Sequence, residues 1–156
     1  MTEAVDFLMK DPEATSSNMN WKGFEAFVES AFEALGYKTQ RNVRFRKPRA
    51  EIDLVSARNG LVFAVDCKHW KRTVGHASML DVSRRQIVRA KRLVDLHDNS
   101  KVIPLIVTLH DETLHILENG IPIVPIHKIS DFVLNWEEAK DDILIFNSKS
   151  AQKRLF

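Results

Sequence analysis

Two aspartates and a lysine carry the strongest chemical signal in this sequence. Asp53 lies in residues 50–57 (AEIDLVSA), and Asp66 and Lys68 lie in residues 61–68 (LVFAVDCK). Asn59 and Gly60 between them are a strong signal for a two-residue hairpin turn. Such a turn pairs Arg58 with Leu61, Val55 with Ala64, Leu54 with Val65 and Asp53 with Asp66. Side chains alternate across a strand. Asp53, Asp66 and Lys68 therefore share one face, with Glu51 opposite Lys68. Ile52, Leu54, Phe63, Val65 and Cys67 take the other face, which is apolar. One register thus separates polar from apolar side chains, which supports it. A three-residue turn would shift the register and part the aspartates.

Directly opposed residues have Cβ atoms roughly 4.5–5.5 Å apart, where like charges are destabilising. The aspartate pair therefore asks for a cation. Lysine alone, or a raised carboxylate pKa, would serve. Two carboxylates with few other ligands also suit Mg²⁺, which takes oxygen ligands and keeps several waters. Mn²⁺ is the expected substitute. Lys68, two residues beyond Asp66, is near enough to hold or deprotonate a water. Together these groups are a constellation for phosphodiester hydrolysis. The plainer alternative is an exposed hairpin with cross-strand ion pairs, such as Glu51 with Lys68.

The hairpin needs elements around it. With 156 residues the chain has the length of one ordinary domain, and its 44% hydrophobic and 28% charged residues fit a globular protein. Its one cysteine, Cys67, excludes an intramolecular disulfide and a cysteine zinc cluster. No pair of the six histidines has a zinc spacing. The first residues lack the basic start of a secretory signal, and no apolar run is long enough to span a bilayer. A reducing, cytoplasmic setting without a membrane partner is expected. Residues 1–18 read as an N-terminal extension holding a short helix, 19–150 as the domain and 151–156 as a tail. A helix is expected from about Trp21 to Leu35, capped by Asn18 or Asn20 and closed by Gly36. Its apolar stripe is Trp21, Phe24, Val28, Ala31, Phe32 and Leu35. Residues 37–49 read as basic and extended. After the hairpin come a helix over about 77–97, strands over about 101–109 and 121–126, and a helix over about 128–136. Pro104 argues for an edge position or a bulge. The order predicts a mixed α/β fold, an antiparallel meander followed by a helical crossover.

These residues resemble the PD-(D/E)xK, restriction-endonuclease-like superfamily. Ile52-Asp53, a gap of 12 residues, then Asp66-Cys67-Lys68 is similar to its acidic residue, hairpin and acidic-x-Lys pattern. Residues 21–29 (WKGFEAFVE), with Leu35-Gly36-Tyr37, are similar to the opening helix of the Mrr-like and archaeal Holliday-junction-resolvase branches. Ile52 stands where the superfamily has proline, and the Gly-x-Asp-Gly and Gln-x-Lys forms usual in Mrr itself are lacking. The resemblance spans roughly residues 21–110. It implies a restriction-endonuclease-like mixed sheet (an αβββαβ core) flanked by helices, and Mg²⁺-dependent cleavage of DNA. Asp53, Asp66 and the Cys67 carbonyl would ligate the metal, with the Cys67 thiol left in the core. A helical glutamate would act through water, and Glu25, at the border of the apolar stripe, is the choice over Glu29 and Glu33. Gln86 resembles a helical glutamine that orients the site in some relatives.

The charge is unevenly placed. Residues 37–101 hold 16 Lys/Arg against 6 Asp/Glu, whereas the rest is net acidic. A basic middle suggests a polyanion partner, with DNA first. Lys38, Arg41, Arg44, Arg46, Lys47 and Arg49 are candidate phosphate contacts, extended by Lys71, Arg72, Arg84, Arg85, Arg89 and Arg92. A solvated mixed surface is the alternative. His69 and Trp70 stand beside the motif as further DNA contacts or core. One site cuts one strand, so cutting both implies a homodimer or a larger nuclease assembly. The competing functions are a non-catalytic DNA-binding or assembly subunit, a junction- or flap-specific nuclease, and an RNA-directed nuclease.

Overall fold

Asn20 opens the first described helix, α1 (Trp21–Ala34), by accepting the Gly23 N–H on its side-chain oxygen at 2.8 Å. That bond satisfies one of the donors left over at a helix start. Leu35 ends the helix, and Gly36 turns out of it at φ 88°. The structure, a computed structural model, describes residues 20–70, 74–109 and 113–148. The expected N-terminal extension with its short helix, and the C-terminal tail, lie outside the described residues. Phe24, Phe27, Val28, Ala31 and Phe32 form the buried stripe of α1. Trp21, expected in that stripe, sits in the first turn and is 46% exposed.

The chain then folds into an antiparallel meander: β1 (Lys38–Phe45), β2 (Ala50–Arg58) and β3 (Leu61–Lys68). Helix α2 (His76–Val94) crosses to β4 (Lys101–Thr108), which lies parallel to β3. Two short strands follow, β5 (His115–Ile116) and β6 (Pro122–Pro125), then helix α3 (Ile129–Asn135) and a final strand β7 (Phe146–Asn147). The sheet order is β1-β2-β3-β4-β6-β5, with β7 added alongside β4. The strands with Pro122 and Pro125 and with Pro104 all form. β4 is internal, so the expected edge position for Pro104 is wrong. Pro104 falls between residues 101–102, which pair with β7, and 106–108, which pair with β6. A residue without an N–H is tolerated in that gap.

Helices cover both faces of the sheet. Phe24, Val28 and Phe32 of α1 and Phe132 and Val133 of α3 pack with Leu54, Phe63, Val65 and Cys67 on one side. Ala90 and Leu93 of α2 pack with Val55, Val62 and Ala64 on the other. Met79 and Val82 extend that second layer over Ile106 and Ile123. Each strand of the central pair β3 and β4 is thus buried from both sides, which is why both read as nearly continuous apolar runs. Among the described residues no helix is long and apolar enough to cross a membrane.

The hairpin turn has the expected length. Arg58 pairs with Leu61, and Asn59 and Gly60 lie at φ 47° and 80°. Positive φ at both central residues is what a two-residue turn matched to strand twist requires. The Gly60 carbonyl also accepts the Lys101 N–H at 2.8 Å, tying the turn to the start of β4. Gly60→Val places a branched side chain in the left-handed region and is expected to cost about 1–2 kcal/mol in urea unfolding. An unchanged midpoint would show that the register does not depend on this turn.

Candidate active site

The β2–β3 ladder ends at Leu54 and Val65. Beyond it the strands separate, and the Cys67 N–H donates to Asp53 Oδ2 at 2.8 Å. A carboxylate oxygen thus stands where a backbone carbonyl would otherwise accept. On the other flank, β1 pairs with β2 on either side of Asp53 but skips Asn42, which is held at φ 53°. The strict alternation expected along β2 breaks here. Ile52 packs with Val55 and Ala64 on the α2 side, whereas Leu54 packs with Phe63 and Val65 on the α1 side. The expectation that Ile52 and Leu54 share a face is therefore corrected. Glu51 does not oppose Lys68 either: it faces Arg44 on β1, at 3.8 Å. The cause is the same, since β2 leaves β3 before reaching that register.

Asp53 and Asp66 lie together at this divergence, and the charge of Glu25 reaches both. Burial pushes the Asp53 carboxyl up to about 7, the Asp66 charge adds to it, and the Cys67 N–H works against both. Side-chain hydrogen bonding towards Asp66 and the charge of Glu25 raise it further. Glu25, on α1, is buried and also raised by desolvation. The Arg41 charge opposes that shift, and Glu51 and Asp66 reinforce it. Of the three α1 glutamates considered, Glu25 is thus the one that feels Asp66, while Glu29 is taken by Arg41 at 2.6 Å. Asp66 is 3% exposed, and among the described residues its Oδ2 makes no hydrogen bond although Lys68 Nζ is 3.2 Å away.

Other expected residues take clear places. The Cys67 thiol is buried and pushed well above its ordinary range, first by burial and then by Asp53, Asp66 and Glu25. A thiol so disfavoured as thiolate is inert. Gln86 is fully buried on α2, and its amide donates to the Ala64 carbonyl at 2.9 Å, two residues before Asp66. Arg89, one turn on, lies 3.9 Å from Asp66 Oδ1. His69 packs edge-on against Phe24, and Trp70 packs against the α2-side cluster that holds Met79, Val82 and Ile106.

The donor set fits a divalent cation. Crowded, desolvated carboxylates and a buried Asp66 oxygen without a hydrogen bond are relieved by positive charge between them. Among the described residues no three His, Cys, Asp or Glu side chains form a ready-made cage. Two carboxylates completed by a backbone oxygen and water suit Mg²⁺ rather than zinc.

The restriction endonuclease family model Mrr_cat matches residues 16–103, more than half of the chain. The chain belongs to this family. The match contains the whole site, from Glu25 on α1 to Gln86 and Arg89 on α2. The fold is accordingly of the restriction-endonuclease type. A protein of Archaeoglobus fulgidus described as uncharacterized is 32% identical over 122 residues, which is 75% of this chain and 92% of that protein. A crystal structure of a protein of unknown function aligns at a TM-score of 0.42 and 24% identity, over 54% of this chain and 44% of that one.

Around the site of this restriction-endonuclease domain, the basic residues divide into used and open. Arg41 is tied to Glu29, and Arg44 sits near Glu51. Arg46, Lys47 and Arg49 are exposed on the β1–β2 connection. With Arg44, Arg46 and Arg49 line a cleft of about 850 Å³ two residues from Asp53. Arg92, which sequence offered only as more basic surface, holds that connection down. Its guanidinium donates to the Pro48 carbonyl and, at 3.1 Å, to the Lys47 carbonyl, and it covers the Phe45 ring at 4.4 Å. No sequence signal pointed to this clamp. Arg85 is exposed and makes no ion pair among the described residues. Lys71 and Arg72 lie outside the described residues.

Asp53 gives a prediction about pH. Its folded pKa of about 7 lies above the ordinary 3.8, so the native protein keeps a proton that the unfolded chain releases. Stability is then full below about pH 4 and falls as pH rises towards 7. Asp53→Asn retains an acceptor for the Cys67 N–H but carries no charge. It is expected to stabilise the metal-free protein by on the order of 1–3 kcal/mol at pH 8, and by little at pH 4. Equal effects at both pH values in thermal unfolding would contradict the shift.

Proposed function

We propose that this chain is a divalent-metal-dependent DNA endonuclease whose centre is Asp53, Asp66 and Lys68. The observation that supports it best is the convergence of Asp53 and Asp66 where β2 leaves β3, with Lys68 beside them. Asp53, Asp66 and the Cys67 carbonyl would hold Mg²⁺ or Mn²⁺, with Glu25 reaching it through water. When bound, the cation polarises the phosphate and makes water a stronger nucleophile. Lys68 is placed to orient that water and to share the charge that builds on the phosphate. Gln86 fixes the strand that carries Asp66 by occupying the Ala64 carbonyl. Glu25, buried on the α1 side, holds negative charge near the attacking water and keeps it oriented.

Substrate follows from the surface. The cleft at Arg44, Arg46 and Arg49 offers charge to phosphates beside the scissile one. Phosphate contacts give affinity without reading sequence, so a structure or a partner supplies any selectivity. One centre cuts one strand, and cutting both calls for a second copy of the chain. A cytoplasmic protein working on DNA accords with this reading.

The test is cleavage of labelled duplex, single-stranded, flap and four-way-junction DNA, and of RNA, in Mg²⁺, Mn²⁺ or EDTA. Wild type is expected to cut DNA only with metal, and Asp66→Ala and Lys68→Ala to lose at least about 10²-fold. Binding of DNA without cutting under every metal condition would instead make the chain a non-catalytic subunit. Arg46→Ala and Arg49→Ala are each expected to weaken binding to every DNA sequence alike. Each should also reduce the slope of log affinity against log salt by about 0.9. An unchanged slope would remove that residue from the interface.

A further inference from the structure

Helix α2 carries Arg85, Arg89 and Arg92 at i, i+4 and i+7, a single stripe along the helix. Arg92 is spent on the β1–β2 connection and Arg85 faces solvent. Arg89 does neither. Its Nη1 lies 3.5 Å from Gln86 Oε1 and 3.9 Å from Asp66 Oδ1, and its side chain is 25% exposed. Asp66 thus has a cation at each oxygen, Lys68 at Oδ2 and Arg89 at Oδ1.

The geometry is that of a guanidinium parked beside the carboxylate and not bonded to it. At 3.9 Å the two attract as charges but share no hydrogen bond. Gln86 explains why Arg89 points there. Its amide nitrogen is locked on the Ala64 carbonyl, so its oxygen is aimed, and the guanidinium leans on that oxygen. Among the described residues the remaining N–H donors of Arg89 have no partner, which leaves them for a ligand.

Building on the nuclease reading, we propose that Arg89 is a catalytic residue that grips the non-bridging oxygens of the phosphate being cut. A divalent cation held by Asp53 and Asp66 would satisfy Asp66 and release its pull on Arg89. The phosphate would then be the nearest anion. A planar guanidinium fits two phosphate oxygens at once, which an ammonium cannot do. Arg89 stands at Asp66 Oδ1 and Lys68 at Oδ2, so the two would act on a phosphate from different sides. Negative charge on those oxygens is what a fixed donor stabilises during the reaction.

The assignment separates from a structural ion pair by three readouts on wild type, Arg89→Ala and Arg89→Lys. These are single-turnover cleavage at saturating DNA, Mn²⁺ binding without DNA, and cleavage with added guanidinium ion. Arg89→Ala is expected to lose about 10²–10³-fold in rate. Added guanidinium should restore part of that rate without speeding wild type. Arg89→Lys should recover less than guanidinium does, because it lacks the fork. Mn²⁺ affinity should stay level or tighten, since a competing cation has left Asp66. Weaker Mn²⁺ binding with no rescue would overturn the proposal and make Arg89 a prop for Asp66. Cleavage by Arg89→Ala equal to wild type would overturn it as well. A wild type that cuts nothing would instead remove the nuclease reading itself, and this assignment with it.

Discussion

Everything at the site depends on one bond made at the place where two strands part. The Cys67 N–H, which would continue the hairpin ladder, donates to Asp53 instead. A buried backbone donor without a partner is costly, so the end of the β2–β3 ladder needs this carboxylate as much as the site does. The bond fixes Asp53 against β3 and beside Asp66. It also lowers the cost of a buried charge without removing it, which is why Asp53 still stands near 7. A centre that is uncomfortable without a cation is a centre prepared to take one.

The layers around it supply the rest. The α1 face delivers Glu25 from one side of the sheet, and the α2 face delivers Gln86 and Arg89 from the other. Both helices are anchored by large buried apolar stripes, so the polar residues on their borders are carried on rigid supports. The basic β1–β2 connection is less deeply rooted. It depends on Arg92, whose guanidinium both bonds its backbone and covers Phe45. The basic surface and the candidate site are therefore tied to the same helix.

Local signals in the sequence carried much of this architecture. Asn59 and Gly60 specified the turn, and the turn specified which residues of β2 and β3 oppose each other up to Leu54 and Val65. Asn20 and Gly36 marked the ends of α1 because caps are chosen by short-range chemistry. The border position of Glu25 followed from helical periodicity. What stayed hidden was non-local. Nothing near Asn42 announces a left-handed residue within a strand, so the break in alternation at Asp53 and the reassignment of Ile52 and Glu51 could not be read. The Arg41–Glu29 pair and the Arg92 clamp join residues 12 to 45 positions apart. Strands of two residues, such as β5 and β7, are set by their neighbours in the sheet and have no pattern of their own.

The central claim is that Asp53 and Asp66 form one metal site. The most direct measurement is anomalous scattering from crystals of the full chain grown with Mn²⁺. The account predicts a peak between the Asp53 and Asp66 carboxylates, with Lys68 beside it. The two carboxyls in direct oxygen-to-oxygen hydrogen-bond contact, with no peak there at saturating Mn²⁺, would contradict it.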